Sequence, residues 1–270
     1  MDRNALRRGG WSLKKSRRLH LSPDEISPDG VLFSDKNSRY VRTVLRLKPG
    51  DHIEGFDGTR EHLIRLVAGP HGRVIGEIVE SRSPLPRTEP WIVLAFSLVR
   101  PGPIHEILRH GTELGVSRFV PILSRRTTRR PTERKPRWES IVSSACAQSG
   151  RTRLPVVEPP VDLHEFFERG HAEPTGIVLS TSPQSEPLPE ILDRESPHQV
   201  EILVGPEGGF ELKEEALAVE SGFFPVRIGA GILRTETAAI AATAIVAAWY
   251  QQNRNELRSN SNHDGGTGSS

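Results

Sequence analysis

A single cysteine among 270 residues excludes a disulfide framework and any metal site built from thiolates. No apolar run reaches the roughly 18 residues that a membrane-spanning helix needs. The first twenty residues lack the apolar block of a secretory signal. Nor is there a general excess of one charge: 36 Lys and Arg against 34 Asp and Glu leave +2, so the chain is not a uniformly cationic binder. What is present suffices for a core. Apolar residues make up 35% of the chain, with 24 glycines besides, which excludes global disorder. The expectation is a soluble, cytoplasmic protein of one large domain or two modest ones.

The few net charges are unevenly placed. Residues 1–20 hold seven basic side chains and one acid, and 125–137 hold another seven (Arg125, Arg126, Arg129, Arg130, Arg134, Lys135, Arg137) against Glu133. One such run reads as a solvated surface; two in a near-neutral chain favour a polyanionic partner, because clustered cations release counterions from a phosphate backbone. Neither run carries aromatics at regular spacing, so base stacking is not written there.

Residues 1–19 read as a basic arm. From 20 to 82 the chain reads as short strands and turns, with Val31–Phe33, Ile53–Phe56, Leu63–Val67 and Val74–Val79 as strands and Asp57-Gly58 as turn chemistry. That pattern suggests a small β-barrel. Residues 83–90, rich in proline, form a semi-rigid linker. From 91 to 250 buried strands alternate with helices, the strands Trp91–Leu98, Phe119–Leu123, Gly176–Ser180, Val200–Val204 and Phe224–Ile228 being of parallel-sheet type. One helix carries Ile104, Ile107 and Leu108 and stops at Gly115; a second is striped by Leu212, Ala216 and Val219; a third, from about Glu236 to Tyr250, is alanine-rich enough for a tight interface. Residues 251–270 read as a disordered tail.

Several motif matches fail on geometry. His105 and His110 are five apart, roughly 140° around a helix, so they cannot grip one metal. Gly229-Ala230-Gly231 lacks the third glycine and the downstream acid of a dinucleotide fingerprint, which argues against a nicotinamide cofactor. Cys146 reads as a small core filler.

Two loops survive. Gly205-Pro206-Glu207-Gly208-Gly209-Phe210 leaves one strand, and its glycines let a ligand lie against bare backbone. Ile228-Gly229-Ala230-Gly231-Ile232-Leu233-Arg234-Thr235-Glu236-Thr237 leaves the next. It reads either as a helix start capped by Thr235 with Glu236 favouring the dipole, or as a site, since Arg234 is a cation where the dipole disfavours one. Loops leaving the carboxyl ends of consecutive strands of a parallel sheet would converge on one crevice, and Leu179, Ser180 and Thr181 would complete it.

Leu203 to Phe210 together with Ile232-Leu233-Arg234-Thr235-Glu236-Thr237-Ala238 resembles the RsmE family of the SPOUT methyltransferases. The likeness continues through Val44 to Asp51, Phe56-Asp57-Gly58, Thr112 to Val116, Ser124, Arg126 and Gln148 to Arg151, covering roughly residues 20–250. It departs from the family pattern at Tyr40, Pro103, His110, Ala147 and Gly231. The resemblance implies a PUA-like barrel followed by an α/β domain with a C-terminal trefoil knot that dimerises. It implies methylation of N3 of a uridine in small-subunit (16S) ribosomal RNA by S-adenosylmethionine, with no metal. A noncatalytic RNA-binding or ribosome-assembly protein of the same fold, or the same chemistry on another RNA, are the rival readings.

Under that reading backbone at Gly205, Gly208, Gly209, Ile228, Gly229, Leu233 and Thr235 holds the cofactor, and Glu207 takes a polar group of it or holds the loop. Arg234 stabilises the developing uracil anion, and Glu236 is the nearest candidate base or merely a helix-capping acid. Arg46, Arg126, Arg129, Arg130 and Arg151 are expected to carry RNA.

Overall fold

The computed structural model describes residues 17–261 except 29, 70–72, 84–90, 128–134, 170–174 and 230, with side chains through residue 253 apart from Lys135. The chain forms two units: the part before residue 87 together with Ser143–Leu154, and the remainder.

The first unit contains β1 (Arg18–His20), a 3-10 turn (Pro23–Glu25), β2 (Ile26–Ser27), β3 (Gly30–Leu32) and α1 (Asp35–Arg39), which runs into a π-helical turn (Tyr40–Val44). There follow β4 (His52–Phe56), β5 (Glu61–Ala68) and β6 (Val74–Arg82). The sheet order is β1-β4-β5-β6-β3-β2, parallel between β1 and β4 and otherwise antiparallel. Period-two alternation puts His62, Ile64 and Leu66 of β5 inward. They face a core that includes Leu19, Leu21, Phe33, Val41 and Ile53. A Cβ at Gly76 would overlap Ile64 Cγ2, so only glycine permits that approach. Asp57 and Gly58 turn β4 into β5, with Gly58 at φ +93°.

The strands expected in this region all form. The arm expected over 1–19 is corrected at its end: Arg18 and Leu19 lie in β1, and Arg18 is a buried cation paired with Glu54 and Glu61 rather than a solvated one. Residues 1–16 and 84–90, most of the arm and of the linker, lie outside the described residues.

The second unit runs β7 (Trp91–Ser97), α2 (Pro101–Leu114), β8 (Val116–Leu123), α3 (Lys135–Ser149), β9 (Val156–Val157), β10 (Val161–Asp162), α4 (Leu163–Glu168) and β11 (Thr175–Leu179). It continues with β12 (Glu186–Pro187), α5 (Leu188–Glu195), β13 (Gln199–Val204), α6 (Leu212–Glu220), β14 (Phe224–Arg227) and α7 (Thr235–Ser261). Its sheet is parallel throughout, in the order β10-β8-β7-β13-β11-β14-β12 with β9 beside β8. Central strands therefore have helices to cover them, and apolar runs such as Val200–Val204 are buried without alternation. Gly115 ends α2 at φ +107°, as expected. Pro101 and Pro103 fall in the first turn of α2, where amides have no intrahelical partner.

Two expectations are corrected. Leu212, Ala216 and Val219 share the outer face of α6, with Leu212 88% exposed; Leu217 and Ala218 face the core instead. The last helix does not stop near Tyr250 but continues to Ser261, so 251–261 is helical rather than a disordered tail, and 262–270 lie outside the described residues. α7 packs on α2, α5, β7 and β13 through Ala239, Ala242, Val246 and Trp249, whose Nε1 donates to Asp193 Oδ1 at 2.6 Å.

Candidate active site

Strands β13, β11 and β14 are successive neighbours in a parallel sheet, so the loops leaving them open at the same edge. In the first loop the Gly209 amide donates to Pro206 O at 2.9 Å, closing a turn, and Gly209 takes φ +69°. A Cβ at Gly205 would stand 3.1 Å from the Phe210 ring, which packs back over the strand end. Glu207, Gly208 and Gly209 are exposed, leaving bare backbone at the tip. Glu211 then caps α6 reciprocally with Glu214.

The second loop meets the first through one side chain. Thr235 is buried at the start of α7, and its hydroxyl donates to Gly205 O at 3.0 Å. Thr235 therefore bridges the loops instead of capping its own helix. The N-cap position belongs to Arg234, whose carbonyl accepts from Ala238 N at 2.8 Å and whose side chain is exposed. Glu236 and Ile228 are half-buried; Gly229, Gly231, Ile232 and Leu233 are exposed, Ile232 by 86%. Ala230 lies outside the described residues.

The third loop is tied to both neighbours. Ser180 N donates to Val226 O of β14 at 2.9 Å, while its hydroxyl bonds Glu215 of α6. Leu179 is half-buried and Thr181 exposed. Leu179, Ser180, Thr181 and the residues of the two glycine loops thus share one sheet edge, as their placement after neighbouring strands implied.

The basic residues divide. Arg126 donates through its guanidinium to Gly208 O, and the Arg125 amide donates to Glu214 Oε1 at 2.8 Å, so the segment after β8 is fastened to the first glycine loop. Arg46 and Arg151 belong to the first unit. Arg46 follows the π-helical turn at φ +54°, an uncommon value for a residue with a side chain. The Arg151 carbonyl accepts from Arg18. Arg129 and Arg130 lie outside the described residues. Sequence reasoning missed Glu215 and the link from Arg126 to Gly208. The pair Glu214-Glu215 in the first turn after a glycine loop was the available signal for the former.

Among known proteins, the model of an RNA methyltransferase domain matches residues 87–247. The ribosomal RNA small subunit methyltransferase E of Synechocystis sp. is 33% identical over 238 residues, covering 86% of this chain and 77% of that protein. The crystal structure of a ribosomal RNA small subunit methyltransferase E from Neisseria gonorrhoeae bound to S-adenosyl methionine is similar at TM-score 0.76 and 34% identity, over 87% of this chain and 97% of that one. A putative methyltransferase from Legionella pneumophila in complex with bound SAM is similar at TM-score 0.73 and 27% identity, over 87% and 98% of the two chains. The chain belongs to the ribosomal RNA small subunit methyltransferase E family of RNA methyltransferases.

Proposed function

We propose that the chain transfers a methyl group from S-adenosylmethionine to N3 of a uridine in small-subunit ribosomal RNA. Its relatives' names and the cofactor in two of their structures support this reading. The observation that carries it is the Thr235–Gly205 bond, which joins two glycine loops at the carboxyl edge of the sheet. The residues fit the cofactor. Gly208 and Gly209 present exposed backbone, and a Cβ at Gly209 would meet nothing within 4 Å. Exposed Glu207 suits a positively charged group, and exposed Ile232 and Leu233 suit a flat apolar one. When bound, S-adenosylmethionine supplies an electrophilic methyl on a sulfonium.

The chain's own task is positioning and charge. An imide N3 must lose its proton as it attacks. Arg234, exposed at the start of α7, is the candidate to stabilise the negative charge spreading onto a uracil carbonyl. Glu236, two residues further along, is the candidate acceptor of the proton. Arg46, Arg126, Arg129, Arg130 and Arg151 are assigned to RNA.

The reading extends to a closed PUA-like barrel in the first unit, a trefoil knot at the C-terminal part of the second, and a homodimer. For the dimer, α7 offers Ala238, Ala241, Ile245 and Ala248, a stripe opposite its core face that is half-buried or exposed in the single chain. Among the described residues no helix is long and apolar enough to cross a membrane. An enzyme of this substrate works where ribosomes are assembled, in the cytoplasm. Nucleoside mass spectrometry of small-subunit RNA from cells with and without the gene tests the function: 3-methyluridine should disappear on deletion, and its persistence would refute the reading.

A further inference from the structure

The first unit holds a cavity of about 860 Å³ to which none of the three loops contributes. Its size falls in the range of roughly 300–1,000 Å³ typical of small-ligand sites. One wall is helical: Asp35, Lys36, Asn37, Arg39, Tyr40, Thr43 and Val44 line the cavity, Lys36, Tyr40 and Val44 at spacings of four, while Ser38 and Val41 are buried away from it. This face runs through the π-helical turn, where Leu45 N donates to Tyr40 O at 3.0 Å, a rare geometry that recurs at functional sites. The end of α3 also lines the cavity, with Ser143, Ser144, Ala147 and Gln148. His20 of β1 also lines it and leans on Phe56, ring centroids 5.5 Å apart.

The chemistry of these walls is specific. Tyr40 and Val44 are large apolar groups left 37% and 61% exposed on the cavity wall. Burial lowers the His20 pKa, so at neutral pH the imidazole is neutral and offers one donor and one acceptor. The exposed Gln148 amide offers both as well. Lys36 and Arg39 supply positive charge. Of the two lining carboxylates, Asp35 is exposed and Glu25 is engaged by the Ser22 and Ser34 amides, at 2.9 and 2.6 Å, and by Asn37 Nδ2 at 2.9 Å. Glu25 is thus occupied in holding α1 in place.

An aromatic face, two groups that read a donor–acceptor edge, and flanking cations are together what a nucleotide requires. We propose that this cavity binds one unstacked nucleotide of an RNA strand, its base against Tyr40, its edge read by Gln148 and His20, and its phosphates on Lys36 and Arg39. The choice of RNA as the source rests on the function proposed above; the match to a nucleotide rests on the cavity alone.

The test uses the full chain and a labelled single-stranded RNA carrying 4-thiouridine. Tyr40→Ala should weaken binding about 5- to 150-fold, the loss of one stacked base, and Tyr40→Phe should restore it. Arg39→Ala should reduce the salt slope by about one unit. Ultraviolet cross-links should map to 35–44 or 143–148, with S-adenosylmethionine affinity unchanged in every variant. If Tyr40→Ala binds RNA like wild type and no cross-link maps there, the cavity is not a nucleotide site, whether or not methylation persists. Displacement of the RNA by micromolar UMP, CMP, AMP or GMP would make the occupant a free nucleotide and overturn the assignment to RNA. Absence of methylation by the wild-type chain with the cross-link present would sink the enzyme reading and leave this one standing.

Discussion

Arg234 occupies the N-cap position of α7, where the helix dipole disfavours a cation and where Ser, Thr, Asp or Asn would stabilise the helix better. A residue so placed adds little to the stability of the helix. Arg234→Ala should therefore leave the melting temperature unchanged or slightly raised while turnover falls by about 10²–10³, as for loss of one preorganised donor. Cofactor affinity, read by calorimetry, should hold, since a sulfonium gains nothing from a cation; a variant with full turnover would remove Arg234 from the mechanism. Thr235, the next residue, should behave differently. Thr235→Ala leaves the Gly205 carbonyl without its hydroxyl donor, costing about 1 kcal/mol, and unties the two loops. Cofactor affinity should drop, and Thr235→Ser should recover it. Equal affinity in the Ala and Ser variants would show that the bond does not shape the site.

At the scale of elements, the β4–β5 turn is held by Asp57. Partial burial alone would raise its pKa, but the Arg60 and Thr59 amides, the Thr59 hydroxyl and His62 outweigh that and bring it down to about 2. A carboxylate whose folded pKa lies below its ordinary value of 3.8 adds stability that is complete above that value and is lost as pH falls toward about 2. Asp57→Asn should thus melt below wild type at pH 7, and the gap should close near pH 2; a constant gap would assign the turn's stability to packing. For α7, Ala241→Arg should convert the proposed dimer to a monomer in light scattering, because a long cation would not fit a close approach of two alanine stripes; a monomeric wild type would refute the dimer itself.

What the sequence disclosed follows from the same physics. Buried parallel strands are continuous apolar runs, so 91–97 and 199–204 were legible, as were the glycine loops behind them. α3 was hidden: Trp138, Val142, Ala145 and Cys146 mark its buried face, yet its start lies in a basic, proline-bearing stretch. α6 has two apolar stripes, and only the position of the sheet decides that Leu217 and Ala218 go inward and Leu212 outward. The Gln- and Asn-rich end of α7 shows that polar composition does not by itself stop a helix. No periodicity could reveal that Thr235 reaches Gly205, since that pairing is tertiary.

On the scale of the whole molecule, charge is balanced in sum and concentrated in runs. Arg129→Ala with Arg130→Ala should weaken RNA binding and flatten its salt dependence by up to about one unit of slope per lost phosphate contact. Cofactor binding should not change. A variant with the wild-type salt slope would mean that these two arginines touch no phosphate.

The boundary at residue 86 is not the only one between the two units. The first unit also draws on Ser143–Leu154, where the Thr152 hydroxyl bonds Glu61 and the Arg151 carbonyl receives Arg18. During synthesis, therefore, the strands around Glu61 emerge long before Thr152 does, and β7, α2 and β8 are made in the interval. The first unit is begun first but cannot be finished first. A chain cut at residue 86 would carry the Arg18–Glu61 cluster without the segment that completes it, so the first 86 residues are not the whole of the first unit.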